Sequence, residues 1–540
     1  MYLLSTNITS PLGLTTLDNY HAVSAGNSAL KHHEAGTRGV PFPFEAALFS
    51  DRQWQEILLP GMTHFESLVV RSAQEALSHT DIDTASQRTL FILSTTKGDI
   101  LTPPGETARH IAHAIGVTTE PIVVCNACIS GVAAQILAQR LVDSGYCDNA
   151  IVSGADVQGE FIISGFQALQ ALSDEPCRPF DAERLGLNLG EAAATMVYTA
   201  DSTTHTAHDA WHLVAGAIRN DAFHISGPHP KGEGCMRALT QVIGNKDDLG
   251  VIGVHGTATM YNDQMESKAI DRAGLSDIPL SALKGYYGHT MGAAGLLETI
   301  ITATALDDGG TILPSRGYSE RGVSGKVNIS GQAMHTEKRE FVKMLSGFGG
   351  CNGAIRMSKL RADEHNATEP TGGTDSTTTV HTSSNHNDII RTEDLSDKTA
   401  EQLTEMYREA GVSYPKFHKM DILSRRAFIA TERLQREHRL TQEEADETAV
   451  IFFNSTSSIV ADRAYLDTIT DKEAYYPSPA LFVHTLPNIS TGEVAMRNGI
   501  HGETSFYILP QPNEALQQAI VNATLQYDSG IRRIITGWID

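Results

Sequence analysis

Basic residues are scarce in this chain: 41 Lys and Arg against 64 Asp and Glu leave a formal net charge of −23. That balance argues against broad binding to nucleic acid or anionic membranes, although a local basic patch could still recruit an acidic partner. The chain also lacks any uninterrupted apolar run of the roughly 18 residues that a membrane-spanning helix needs. Its first residues, MYLLSTNITSPLG, have neither the cationic n-region nor the continuous apolar core of a signal peptide. Cysteine is sparse, six in 540 residues with none beyond Cys351. Free thiols are expected rather than a disulfide framework, and the last third of the chain performs no thiol chemistry. Charged residues make up only 19%, too few for a disordered chain, whereas 41% hydrophobic residues suffice for large cores. These absences predict a cytoplasmic chain of about three or four domain-sized units.

Residues 361–387, ADEHNATEPTGGTDSTTTVHTSSNHN after Arg361, hold almost no large apolar residue. The composition predicts an interdomain linker, or a long surface loop within one domain. Before it, short apolar runs alternate with helical patterns. TLFILS, PIVVC and NAIVSG read as buried strands, with ARHIAHAI and SGVAAQILAQRLVDSG as helices between them. AAATMVYT, VIGV from Val251, VSGKVNIS and FVKML add further strands. The alternation predicts an α/β fold with buried sheets and helical layers outside.

An internal repeat is also legible. Residues 64–96 and 144–156 run helix, strand ending in Ser/Thr, then SGYCDNAIVSGAD; residues 419–458 and 528–540 run the same way and close on DSGIRRIITGWID. The tail therefore reads as a duplicate of the first half of the unit that precedes the linker.

Chemistry concentrates at a few positions. Cys128, in VVCNACISGVAA, follows an apolar strand and precedes a helix. A thiol there meets free N–H groups that stabilise a thiolate and donate to an oxyanion; the alternative is a buried structural cysteine, as Cys125 illustrates. The C-x-x-C spacing has no second ligand pair nearby, so no metal is expected. His255, in GVHGTATMYND, and His289, in LKGYYGHTMGAAGLLE, stand in Gly-rich turns that keep an imidazole accessible. Singly they would be ordinary hydrogen-bonding residues; with an upstream nucleophile they point to catalysis. Lys284 ends PLSALK, and Glu266 lies on the helix after His255. If buried, they are expected to pair with each other. SGFGGCNGA, around Phe348, suits a tight loop able to donate backbone N–H groups.

Taken together, residues 1 to about 360 resemble the β-ketoacyl-acyl carrier protein synthases of the Cys-His-His type, in the thiolase-like superfamily. The resemblance rests on SPLG and AGNSAL near the start and on CNACISG around Cys128. PFDAERLGLNLGEAAA follows, through Phe180, Asp181, Arg184, Gly186, Gly190 and Glu191. HGTATMYNDQMES (with Thr257, Thr259, Asp263 and Glu266 in register), KGYYGHTMGAAG and GFGGCN complete the set in order. The resemblance implies a fold of duplicated βαβ layers, stacked α-β-α-β-α, with halves of about 1–200 and 201–360. It implies Cys128 as the acylated nucleophile, and His255 and His289 as the groups that polarise a malonyl thioester and stabilise its enolate. Lys284 with Glu266 would support the histidines. The backbone N–H groups of Cys128 and Phe348 would form the oxyanion hole. Phe348 and Gly349 would form the gate, and Thr257, Thr259 and Asn352 would contact substrate. No cofactor is implied beyond the phosphopantetheine of an acyl carrier protein, which would be the partner. A homodimer, or a heterodimer with another ketosynthase-like subunit, is expected.

Two residues depart from the family pattern. Cys351 stands where Thr is usual and leaves open a thiolase-like acyltransferase using coenzyme A thioesters. Ser346 replaces an aromatic residue before the gate. A non-catalytic subunit that shapes a partner's pocket is a third reading, opposed by the intact Cys128, His255 and His289. The tail, 388–540, resembles the N-terminal half of a ketosynthase or chain-length factor. Opposite Cys128 it carries ILPQPNEAL, so it cannot condense anything. Half of such a fold would leave an apolar face bare, which predicts docking on a second protein, with a possible role in lining or capping the acyl pocket.

Overall fold

The computed structural model describes residues 1–201, 209–360, 388–437 and 439–540; the expected linker at 361–387 lies outside them. One 15-stranded sheet runs through the molecule. In its first half, Thr89–Ser94 lies parallel between Ile122–Val124 and Asn149–Asp156. Asn149–Asp156 then pairs antiparallel with Ala192–Thr199, and that strand with Tyr2–Thr9. The second half continues through Ala210–Asn220, Cys351–Leu360 and Glu340–Gly347 to the parallel strands Leu249–Gly253 and Pro279–Ser281. Every residue of Thr89–Ser94 and of Ala192–Thr199 is buried, the condition of strands covered on both faces. The mixed α/β architecture expected from the periodicity, and implied by the resemblance to thiolase-like enzymes, is present.

Two helices set the geometry of the centre. Ser130–Asp143 follows Cys128, and Ala294–Asp307 follows His289. They cross at glycine. A Cβ on Gly131 would fall 2.9 Å from the carbonyl of Gly292, and one on Gly295 would fall 2.5 Å from the amide of Val132. Only backbone-to-backbone approach at this crossing brings the two helix starts, and hence Cys128 and His289, into one place.

Some elements differ from the sequence reading. VSGKVNIS contributes only the two-residue strand Asn328–Ile329, because Gly325 packs against the backbone of Ser267 and Lys268 instead of entering a ladder. Lys284 does not end a strand; that strand stops at Ser281, and Lys284 opens the helical turn Lys284–Tyr287. Tyr2–Thr9, Ala210–Asn220 and Cys351–Leu360 are strands without a counterpart in the reading.

The tail repeats the motif of the first half. Thr448–Asn454 lies parallel between Thr504–Ile508 and Arg533–Trp538, as Thr89–Ser94 does between its neighbours. Even the side-chain closure recurs. Asp156 accepts from the hydroxyls of Thr95 (2.8 Å) and Thr96 (3.0 Å), and Asp540 accepts from those of Ser455 (2.6 Å) and Thr456 (2.8 Å).

The expectation that the tail docks on a second protein is overturned: it docks on its own chain. Thr504–Ile508 pairs antiparallel with Ile122–Val124, Tyr507 opposite Val124 and Ile508 opposite Val123. Asn126 extends the pairing by accepting from the amide of Phe506 at 2.8 Å. Behind the strands sits a buried ion cluster. Arg140 meets Glu503 at 2.7 Å and Asp528 at 3.1 Å, and Arg219 meets Asp528 at 2.7 Å. Burial opposes ionisation of Asp528, but the two arginines outweigh it and hold its pKa below the ordinary carboxylate value. No helix among the described residues is long and apolar enough to cross a membrane.

Candidate active site

Cys128 sits in the tight turn Ala127–Ile129 at the mouth of its helix. Its sulfur and one ring nitrogen from each of His255 and His289 lie within 4.8 Å of one another. The two rings stand 5.1 Å apart and nearly perpendicular, at 81°. Each of the three is followed or preceded closely by a non-glycine residue with left-handed backbone: Ala127 (φ 48°), Ala258 (φ 61°) and Met291 (φ 53°). Such conformations cost of order 1–3 kcal/mol each and persist where surrounding structure imposes them.

The electrostatics separate the roles. Burial pushes the Cys128 thiol up to about 12, with Lys284 only partly opposing it, so the resting group is a thiol. Burial, followed by the charge of Lys284, holds both His255 and His289 well below the ordinary imidazole value. Two neutral imidazoles therefore face one protonated nucleophile. The amide of Met291 donates to Nδ1 of His289 at 3.3 Å, which places the ring proton on Nε2. That nitrogen, like Nδ1 of His255, is buried without a protein partner, and both rings line the cavity described below. The chemistry of the three groups fits a nucleophile beside two proton-handling imidazoles.

The His255 segment is gripped from both sides. Glu266 accepts from the amides of His255 (2.7 Å) and Gly256 (2.8 Å). Lys284 donates to the carbonyl of His255 at 2.7 Å. The anticipated Lys284–Glu266 pair is corrected: the carboxylate on Lys284 is Glu298, at 2.8 Å, from the helix that follows His289. Glu266 is occupied by backbone amides and by Asn262.

Cys128, His255 and His289 open onto a cavity of about 480 Å³, lined also by Thr257, Thr259, Phe348 and Asn352. Lys284, Glu266 and Gly349 stand behind this wall. Asn352 is fixed by Ser346, whose hydroxyl donates to its Oδ1 at 2.7 Å. Ser346 thus leaves cavity space where an aromatic ring was expected. The Cys351 sulfur faces the carbonyls of Phe348 (3.3 Å) and Asn126 (3.7 Å) and does not line the cavity. The rim carries Leu185, Met260 and Tyr261, all exposed.

Beyond Phe348 a second, apolar void runs from Cys128 past Ile162, Phe166 and Met291 to Phe482 and Leu486 of the tail, with only about 10 Å³ of free space. Phe166 stacks on Phe348 (6.2 Å, 22°) and meets Phe482 edge-on (5.5 Å, 71°). The ring of Phe482 lies over Gly165, where a Cβ would come within 2.2 Å of it.

This architecture and this triad define the class of thiolase-like condensing enzymes. The model of the β-ketoacyl synthase N-terminal domain matches residues 102–204, and that of its C-terminal domain matches residues 212–319. Nodulation protein E of Rhizobium meliloti (strain 1021) is 31% identical over 52% of this chain and 73% of its own length. The Tetracenomycin polyketide synthase ketoacyl synthase alpha subunit of Streptomyces glaucescens is 30% identical over 47% of this chain and 64% of its own length. Among solved structures, a ketosynthase from Xenorhabdus doucetiae in complex with its chain length factor superposes with TM-score 0.56 at 25% identity, covering 66% of this chain and 98% of that one. A PfaC keto synthase–chain length factor shares the fold along 100% of this chain and 73% of its own, with TM-score 0.74 at 13% identity. The chain belongs to the β-ketoacyl synthase family.

Sequence reasoning missed Glu298, Lys343, Phe482 and Asn488. Glu298 had a signal: a carboxylate within the run of small and apolar residues GAAGLLE. Phe482 and Asn488 had none, since nothing local ties them to Cys128.

Proposed function

We infer that the chain catalyses decarboxylative Claisen condensation of an acyl thioester with a malonyl thioester, in fatty acid or polyketide biosynthesis. The convergence of Cys128, His255 and His289 on one cavity carries this reading. Cys128 attacks the acyl-carrier thioester; a new C–S bond forms and the carrier thiol leaves, while the cysteine proton passes by way of a neutral imidazole to the departing sulfur. A malonyl-carrier thioester then enters from the rim. Its carboxylate leaves as carbon dioxide, and the electron pair becomes an enolate whose oxygen is met by the Nε2–H of His289 and by His255. The carbanion attacks the acyl-Cys128 carbonyl, forming a C–C bond. The Cys128–acyl bond breaks, and the thiolate takes a proton from water, replacing the one that left with the carrier thiol. Backbone N–H groups of Cys128 and Phe348 serve the tetrahedral oxyanion, and Thr257, Thr259 and Asn352 line the path of the incoming arm.

Both acyl groups arrive on the phosphopantetheine of an acyl carrier protein, which docks over the exposed Leu185, Met260 and Tyr261, and the protein needs no cofactor of its own. Residues 388–540 act as a non-catalytic half carried on the same chain, whereas the ketosynthase from Xenorhabdus doucetiae is in complex with a separate chain length factor. They occupy the sheet edge at Ile122–Val124. The six buried, unpaired cysteines support a cytoplasmic setting. That Cys351 does not line the cavity disfavours the thiolase-like alternative. Incubation with acyl- and malonyl-carrier proteins, followed by intact mass, tests the reading. An acyl adduct on Cys128 and a two-carbon extension are expected; extension surviving Cys128→Ala would remove it.

A further inference from the structure

Lys343 is fully buried on the strand Glu340–Gly347, which leads into the Phe348 loop. A lysine in such a place requires a reason, since desolvating an ammonium is costly unless it is paired and hydrogen-bonded. Its Nζ donates to the carbonyl of Val254 at 2.7 Å and pairs with Glu298. Lys284 does the same one residue further on, donating to the carbonyl of His255 at 2.7 Å and pairing with the other oxygen of Glu298 at 2.8 Å. One carboxylate thus bridges two ammonium groups, which hold successive carbonyls of the segment that delivers His255. The cluster joins the His255 loop, the helix after His289 and the strand before the gate. It carries one more positive charge than negative.

We propose that Lys343 is a positioning residue of the condensing site: with Lys284 it fixes the His255 loop through Val254 and Glu298, and it supplies a second fixed positive charge beneath the two imidazoles. The proposal rests on the functional reading only for its importance, since the geometry stands without it. A structural role alone would be served by a single Lys284–Glu298 pair, which is already neutral. The second ammonium, which burial disfavours and Glu298 and Glu266 favour, adds positive charge beneath the rings, and that charge disfavours protonation of His255 and His289 while favouring the developing enolate. Lys343 contributes in this direction at both rings, after burial and Lys284 at His289 and after burial, Lys284 and His289 at His255. The groups that face the pair are Lys284, Lys343 and Glu298, together with Glu266 under the His255 backbone and the Cys128 thiol.

The test is a pH titration of the full chain labelled with ¹³C-histidine, with His255→Asn and His289→Asn identifying the two signals. In Lys343→Met both imidazoles should protonate at a pH about one unit higher than in the parent. A parent whose rings stay neutral wherever it is folded, beside a variant whose rings protonate in that range, is the same result. Lys343→Arg should restore the parental titration. If Lys343→Met fails to fold, Lys343→Gln, which keeps a donor near Val254 without the charge, should show the same upward shift. Unmoved titrations in a folded, uncharged variant would overturn the proposal. They would leave the condensation reading intact, just as a parent unable to decarboxylate malonyl-carrier protein would sink that reading and leave these titrations untouched.

Discussion

Asn488 donates from its side-chain Nδ2 to the carbonyl of Phe348 at 2.8 Å, across 140 positions of sequence. The tail thereby holds the loop whose Phe348 lines the cavity with Cys128, His255 and His289. Gly349 completes the contact, because a Cβ there would meet Asn488 Nδ2 at 2.7 Å, and Gly492 faces the Gly349 carbonyl as closely. The tail is thus packed directly on the Phe348–Gly349 loop.

Removing that hydrogen bond should loosen the loop. In Asn488→Ala, amide exchange at Gly349 and Gly350 is expected to quicken about fivefold, the equivalent of ~1 kcal/mol. Condensation should slow while overall thermal stability changes little. Hydrogen–deuterium exchange read by mass spectrometry decides it; unchanged protection in that peptide would show the contact to be idle.

Phe482 closes the apolar void beyond Cys128 and packs on Gly165. Phe482→Ala should open that side, so that longer acyl groups load onto Cys128 than in the parent. The cost in stability is about 3–5 kcal/mol, as for other buried phenylalanines. Competition among acyl-carrier proteins of several lengths, read as the mass of the Cys128 adduct, provides the check. An identical adduct distribution would place the limit on chain length elsewhere.

The Arg140–Glu503–Asp528–Arg219 cluster ties the tail to the catalytic unit. Asp528→Ala leaves Arg219 buried without its carboxylate and should destabilise the chain by roughly 3–5 kcal/mol. Asp528→Asn, which retains hydrogen bonding, should fall between. Urea denaturation measures this directly, and a midpoint equal to that of the parent would mean that strand pairing alone carries the docking.

His255 and His289 both have folded-state pKa values below their unfolded value of about 6.5. As pH falls through 6.5, the unfolded chain takes up protons that the folded site refuses. The two rings thus contribute no destabilisation above that pH and progressively more below it, up to ~1.4 kcal/mol per pH unit for each ring. The double variant His255→Asn, His289→Asn should show a correspondingly flatter loss of stability between pH 6.5 and the folded values. Parallel urea midpoints across that range would contradict the burial of neutral rings.

Much of the site was legible without coordinates, because its chemistry is written in local motifs. Cys128, His255 and His289 each stand where a strand or turn meets Gly-rich backbone, and the residues around them allow few other uses. The α/β alternation and the duplicated tail were legible for a related reason: apolar periodicity records burial, and burial is what a strand or helix needs locally. What faces what is not recorded. Lys284 signals that a buried lysine needs a carboxylate, yet Glu266 and Glu298 satisfy that need equally well on paper. Only the crossing of helices at Gly131 and Gly295 brings Glu298 into reach. The same holds for Lys343, hidden in an ordinary strand, and for Thr504–Ile508, whose open edge could have paired with any matching strand. Sequence alone determined which atoms can react and which segments must be buried. The tertiary structure decided that the tail would bury its face on its own chain, and that one carboxylate would serve two lysines, because pairing between distant segments depends on geometry that no single segment contains.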